Sequence, residues 1–166
     1  MTVPSEAQSA VDHLRKFGSA SSTDVFDGVT YWTDLQLYDI LTQSVDFKTV
    51  KVTPVNKDCT VFIHRLPKHY WLKESSIEFD ITTAQTYDSV EKTFTFASSP
   101  SYLPQLYVTV WNMNHALANL WEVKASQRFE LVNVKGGANQ IYMEQEYNHC
   151  VMKAKMYRSR EIRRIG

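Results

Sequence analysis

The sequence predicts a mainly β protein: an antiparallel β-sandwich of about eight strands, with two helices at its N-terminal end. Three observations carry that expectation. Between residues 47 and 147, apolar and polar residues alternate with a period of two along several stretches, the pattern of strands with one buried and one wet face. Breaks at Pro54, Pro67, Ser98 to Pro104 and Gly136-Gly137 punctuate those stretches at short intervals. Strand patterns do not alternate with helical ones, which disfavours a parallel α/β sheet. The same observations admit an alternative α+β arrangement, with the helices packed on a curved sheet.

Taken in order, Ser5 to Phe17 is a helix: Ser5 and Gln8 have the spacing of a capping box, and Ala7, Val11, Leu14 and Phe17 recur near helical spacing. Gly18 ends it and opens a short link to Ser22, and the narrow apolar stripe reads as an arm outside the core. Val29, Tyr31 and Trp32 suggest a short extended piece. Thr33 caps a second helix, with Asp34 in its first turn, Gln36 three residues after the cap, and a one-sided stripe of Leu37, Ile40 and Leu41. This helix is expected to cover an edge or end of the sheet.

Strands follow at Phe47 to Thr53, Cys59 to Leu66, briefly at His69 to Leu72, and at Ser76 to Thr82, where Ile77, Phe79 and Ile81 oppose Glu78, Asp80 and Thr82. Tyr87 to Ser89 reads as a loop, Glu91 to Ala97 as a strand and Ser98 to Pro104 as a connector. The strongest signal runs from Gln105 to Asn148. There Leu106, Val108 and Val110 alternate with Tyr107, Thr109 and Trp111. Asn119 to Val134 reads as two strand halves joined at Ala125-Ser126, or as one bent strand. With Ile141 to Tyr147 it gives a hairpin over 127–147 about Gly136-Gly137.

At 166 residues and 43% hydrophobic content the chain is long and apolar enough to bury a core, which excludes wholesale disorder. Cys59 and Cys150 lie far apart without CxxC spacing, so neither a disulfide framework nor a zinc site is indicated and a reducing compartment is the default. No apolar signal-peptide core and no apolar run of the roughly 20 residues a membrane helix needs is visible, so an intracellular site is expected.

The sequence proposes no reaction. His64 and His69 bracket Arg65 to Lys68, a spacing that suits neither a helical nor a strand pair of ligands, and structural or surface roles are expected for all five histidines. There is no Gly-x-Ser-x-Gly, Cys59 lacks a nucleophile's flanking pattern, and Gly136-Gly137 lacks the phosphate-loop and dinucleotide fingerprints. No catalytic, metal or cofactor-binding residue and no small-molecule substrate is assigned, and the chain is expected not to be an enzyme. Tyr70, Trp71, Tyr102, Tyr107, Trp111 and Trp121 could stack on single-stranded nucleic acid, although such residues more often form core or interface.

Charge supplies the sharper hint. Residues 150–166 hold six basic side chains (Lys153, Lys155, Arg158, Arg160, Arg163 and Arg164) against Glu161 alone, a net +5 that leaves −5 on the first 149 residues. These six are the candidate nucleic-acid contacts, RNA above all, with an anionic membrane surface as the other partner of suitable chemistry. The bland reading is a solvated tail, or one that pairs with a neighbouring subunit's acidic body. The chain accordingly divides into a helical arm and linker (1–46), a β-sandwich core (47–149) and a basic tail (150–166).

Leu106, Tyr107, Val108, Val110 and Trp111, followed by Val123, Ser126, Phe129, Glu130 and Leu131, resemble the closing strands of jelly-roll coat proteins of small positive-strand RNA viruses. The likeness covers about 30 residues, and the basic stretch lies at the opposite end from the N-terminal arm common in that family. The resemblance implies two packed four-stranded sheets, homo-oligomeric self-assembly around nucleic acid, and a place in the virion or host cytoplasm. The alternatives are a matrix-type or RNA-binding accessory protein of α+β fold, and a small α+β enzyme or ligand-binding protein.

Overall fold

The computed structural model describes residues 2–22, 25–26, 29–134 and 140–162. Their backbone forms a curled, half-barrel antiparallel sheet and four helices, with 44% helix against 25% strand. That is an α+β structure, not two facing sheets. The chain divides into two compact units, Met1–Val45 with Trp111–Gly166, and Asp46–Val110.

The sheet strands are β3 (Val45–Pro54), β4 (Val61–His64), β5 (Tyr70–Leu72), β6 (Glu78–Phe79), β7 (Gln85–Asp88), β8 (Thr93–Phe96) and β9 (Gln105–Asn112). Their order is β5-β9-β3-β4-β8-β7, with β6 also paired to β9. Register is fixed by apolar residues: Phe62 lies opposite Phe94, and Phe79 opposite Leu106. Leu106, Val108 and Val110 point to one side and are fully buried with Val50, Val52, Phe62, Phe94 and Phe96, as their alternation predicts. Phe79 meets Phe94 and Phe96 edge-on at 5.0 and 5.2 Å. Side chains close the turns. Asn56 Oδ1 accepts from Thr60 and Val61 backbone N–H groups, and Asp88 Oδ1 from those of Val90 and Glu91.

Two local readings need correction here. Only Glu78–Phe79 of the alternating Ser76–Thr82 run is strand, and Glu74–Ser76 is a 3₁₀ turn. The Ser76 hydroxyl occupies the neighbouring ladder position, accepting from Thr109 N–H at 2.9 Å. Conversely, the expected loop at Tyr87 to Ser89 begins as strand, because Gln85–Asp88 finds a partner in Thr93–Phe96.

The other unit contains α1 (Ser5–Phe17), a two-stranded ribbon of β1 (Val25–Phe26) and β2 (Val29–Thr30), α2 (Asp34–Thr42), α3 (Met113–Val134) and α4 (Gln140–Ile162). Thr33 and Gln36 form the expected reciprocal capping box on α2. Ser5 does not cap α1. Pro4 precedes the first turn and Ser5 is already helical. Nor is α1 a loose arm: Ala7, Ala10, Val11 and Leu14 are fully buried, and Arg15 reaches Asp34 of α2 at 2.6 Å. Gly18 ends α1 at an ordinary negative φ. Its necessity is space, since a Cβ there would meet Leu120 Cδ2 at 2.0 Å and the Leu14 carbonyl at 2.7 Å.

The largest correction concerns Asn119–Val134 and Ile141–Tyr147, expected as strands and found as the bodies of α3 and α4. Met113, Ala116, Leu117, Leu120, Trp121 and Ala125 are buried at helical spacing, as are Cys150, Ala154 and Tyr157 on α4. The Ala, Leu, Glu, Lys, Gln and Arg content of these segments also favours helix, which outweighs the scattered Val and aromatic residues that suggested strands. Of the family-like motif, Val123, Ser126, Phe129, Glu130 and Leu131 therefore lie on a helix. The Gly136-Gly137 turn falls outside the described residues.

Candidate functional site

α3 and α4 run antiparallel and are pinned along their length. Near one end Arg128 pairs with Glu146 at 3.0 Å, and the Phe129 and Tyr147 rings lie 5.8 Å apart. Towards the other end, Arg158 donates to Glu122 at 3.1 and 3.2 Å and to Asn119 Oδ1 at 2.6 Å, and its Nη1 lies 3.2 Å from His115 Nδ1. This hairpin carries two concavities, one on each side.

The first is apolar and holds about 620 Å³, with Ala125 and Phe129 of α3 facing Tyr147, Val151 and Ala154 of α4, and Lys155 and Arg158 along its edge. Phe129 remains about half exposed. Of the six predicted nucleic-acid contacts, Lys153, Lys155, Arg158 and Arg160 occupy the C-terminal half of α4, while Arg163 and Arg164 lie outside the described residues. The boundary drawn at residue 150 falls inside α4. Lys155 and Arg160 are exposed, and Lys153 is half-buried; none of the three has a carboxylate partner among the described residues. Arg160 leans over Tyr157 at 5.4 Å. Arg158 differs, because its guanidinium already joins the two helices.

The second concavity, about 560 Å³, lies between α3, α4 and the segment around Ser19 and Trp32. Lys124 Nζ donates to the carbonyls of Gly18 and Ser19 at 2.8 and 2.6 Å and sits 5.4 Å from the Trp32 ring and 4.9 Å from the Trp121 ring. One lysine thus ties the segment to α3. Ser19 and Trp32 both hold left-handed backbone, φ 49° and 65°, which costs a non-glycine residue of order 1 kcal/mol or more. His149 meets Trp121 edge-on at 5.7 Å, and the buried Trp121 Nε1–H has no hydrogen-bond partner. Arg128 and Glu146 form the charged part of the rim. Cys150 also lines this space, its thiol pushed up in pKa by burial, a poor nucleophile.

The aromatic set proposed for stacking is dispersed. Trp111 and Trp121 are buried, Tyr107 stacks on Phe47, Tyr70 carries Lys48 over its ring at 4.8 Å, and Tyr102 is exposed. His64 is a core histidine. It is 4% exposed, its Nε2 lies 3.1 Å from the Tyr87 hydroxyl, and burial with Lys92 nearby lowers its pKa to about 4. Tyr87 is pushed to about 12, chiefly by burial. Among the described residues no three His, Cys, Asp or Glu side chains converge as a metal site, both cysteines are free thiols, and no helix is long and apolar enough to cross a membrane.

The missed residues had a findable signal. Lys124 and Arg128 share a helix face with Trp121 at i+3 and i+7, and Glu146 and His149 share one with Tyr142 at i+4 and i+7 on the facing helix, but only once both segments are read as helical. Comparison with protein-family models, curated proteins and solved structures finds no match to this chain.

Proposed function

We propose that this chain is a non-enzymatic structural protein of coat or matrix type, which self-associates and contacts nucleic acid through the basic end of α4. The observation that carries this reading is the arrangement of that helix. From Tyr147 to Arg160 it contains four basic residues and no acid; Lys155 stands in solvent at the edge of an apolar groove, and Arg160 is exposed elsewhere on the same helix. Exposed cations on a rigid helix track phosphates by releasing counterions, and a neighbouring apolar groove suits a protein contact. Of the segment that resembles coat-protein strands only Leu106 to Trp111 is strand, so the reading rests on the basic helix and not on that resemblance.

The test joins light scattering to RNA binding as a function of salt. Self-association, with an affinity for RNA that falls steeply as salt rises and is weakened by Lys153→Gln, Lys155→Gln and Arg160→Gln together, is the expected result. A monomer with no salt-dependent RNA affinity would overturn the proposal, and retention on anionic vesicles but not RNA would replace nucleic acid with membrane.

A further inference from the structure

The concavity around Trp32 and Trp121 combines features that are individually costly and that a bound ligand would explain together. Two non-glycine residues on its wall, Ser19 and Trp32, hold left-handed backbone. The indole N–H of Trp121, a residue only 6% exposed, finds no acceptor. The volume, about 560 Å³, lies inside the range of small-ligand sites, about 300–1,000 Å³. Its aromatic lining includes Tyr31, Tyr142 and His149 as well as the two tryptophans, and Tyr142 is 69% exposed. Trp32 and Trp121 are themselves buried beneath Lys124, so the ring faces open to a flat ligand are those of Tyr31, Tyr142 and His149.

Charge narrows the class. Among the described residues that line the space, Lys124 and Arg128 stand against one carboxylate, Glu146, a balance that favours an anion. Lys124 is already held by the two carbonyls, which leaves Arg128 as the guanidinium that can turn to a ligand. Its present partner is a single carboxylate at 3.0 Å on a half-exposed pair, an interaction that a doubly charged phosphate can displace.

We propose that this cavity binds a nucleotide, with the base against the aromatic wall and the phosphate on Arg128. The ligand is either a free nucleoside monophosphate or one residue of a single strand. The site uses none of the basic side chains assigned to nucleic-acid contact on the C-terminal half of α4, so it stands or falls separately from that role.

Tryptophan fluorescence of the full chain tests it, titrated in turn with AMP, adenosine and a short oligoadenylate. AMP should quench saturably while adenosine does not. Arg128→Gln should weaken AMP about tenfold, the loss of one charge-assisted contact. Glu146→Gln should tighten it about threefold by freeing Arg128, a gain that a purely structural ion pair would not produce. Saturable quenching by oligoadenylate alone, sensitive to Arg128→Gln and not to Lys155→Gln, would assign the site to a strand residue. The proposal is overturned if neither phosphate ligand quenches saturably, if adenosine binds as well as AMP, or if both variants leave affinity unchanged.

Discussion

His64 shows how a residue that looks catalytic in a list becomes structural in place. Its ring is packed among Phe94 and Tyr87 and is kept neutral, with a pKa near 4 against an unfolded value of 6.5. Below pH 6.5 the unfolded chain therefore takes up a proton that the folded state refuses. Stability from this residue is complete above about pH 6.5, declines as pH falls through that value, and levels off below about 4, a change of about 3 kcal/mol. Urea denaturation between pH 7 and 4 should show wild type losing about that much more stability than His64→Leu; parallel curves would refute the assignment. Gly18 is the other residue whose identity is set by its neighbours. Its backbone is ordinary, so Gly18→Ala fails by overlap with Leu120 and the Leu14 carbonyl, and should cost about 1–3 kcal/mol in thermal denaturation.

At the scale of elements, the antiparallel α3–α4 hairpin changes how the basic segment must be tested. A solvated tail can be deleted without harm, but Cys150, Ala154 and Tyr157 belong to the buried face of α4. Removing residues 151–166 should unfold the helical unit, lowering the far-UV helical signal by more than the deleted residues contribute, so charge substitutions are the informative variants. Arg158→Ala belongs with the deletion in kind. It leaves Glu122 and Asn119 without the guanidinium that joins them to α4 and should cost about 1 kcal/mol. A nucleic-acid defect in that variant would be accompanied by lost stability, whereas Lys155→Gln should leave the melting temperature unchanged within about 1 °C.

For the whole molecule, zero net charge conceals a chain that is +5 over its last 17 residues and −5 over the rest. Salt should therefore act on association more than on folding. Neutralising Lys153, Lys155 and Arg160 together should reduce the slope of log affinity for single-stranded RNA against log salt by about 2, since each phosphate neutralised contributes about 0.7. A slope unchanged by all three substitutions would place nucleic-acid contact elsewhere on the surface.

The short-range features were legible in the sequence because each is settled within a few residues. The Thr33–Gln36 box and the buried face of Leu106, Val108 and Val110 need only local chemistry and period. What failed was the reading of residues 119–147, where strand-forming side chains are interleaved with helix formers. There the decision rests on burial of Leu120, Trp121, Cys150 and Ala154, which no local window contains. The Trp32–Trp121 cavity likewise exists only because distant segments meet: Lys124 bonds to carbonyls 105 and 106 residues away. By itself the sequence determined which stretches carry apolar faces and where the charge lies. Tertiary packing decided whether those faces were sheet or helix, because burying one continuous stripe against a partner outweighs the small intrinsic preferences of the residues that compose it.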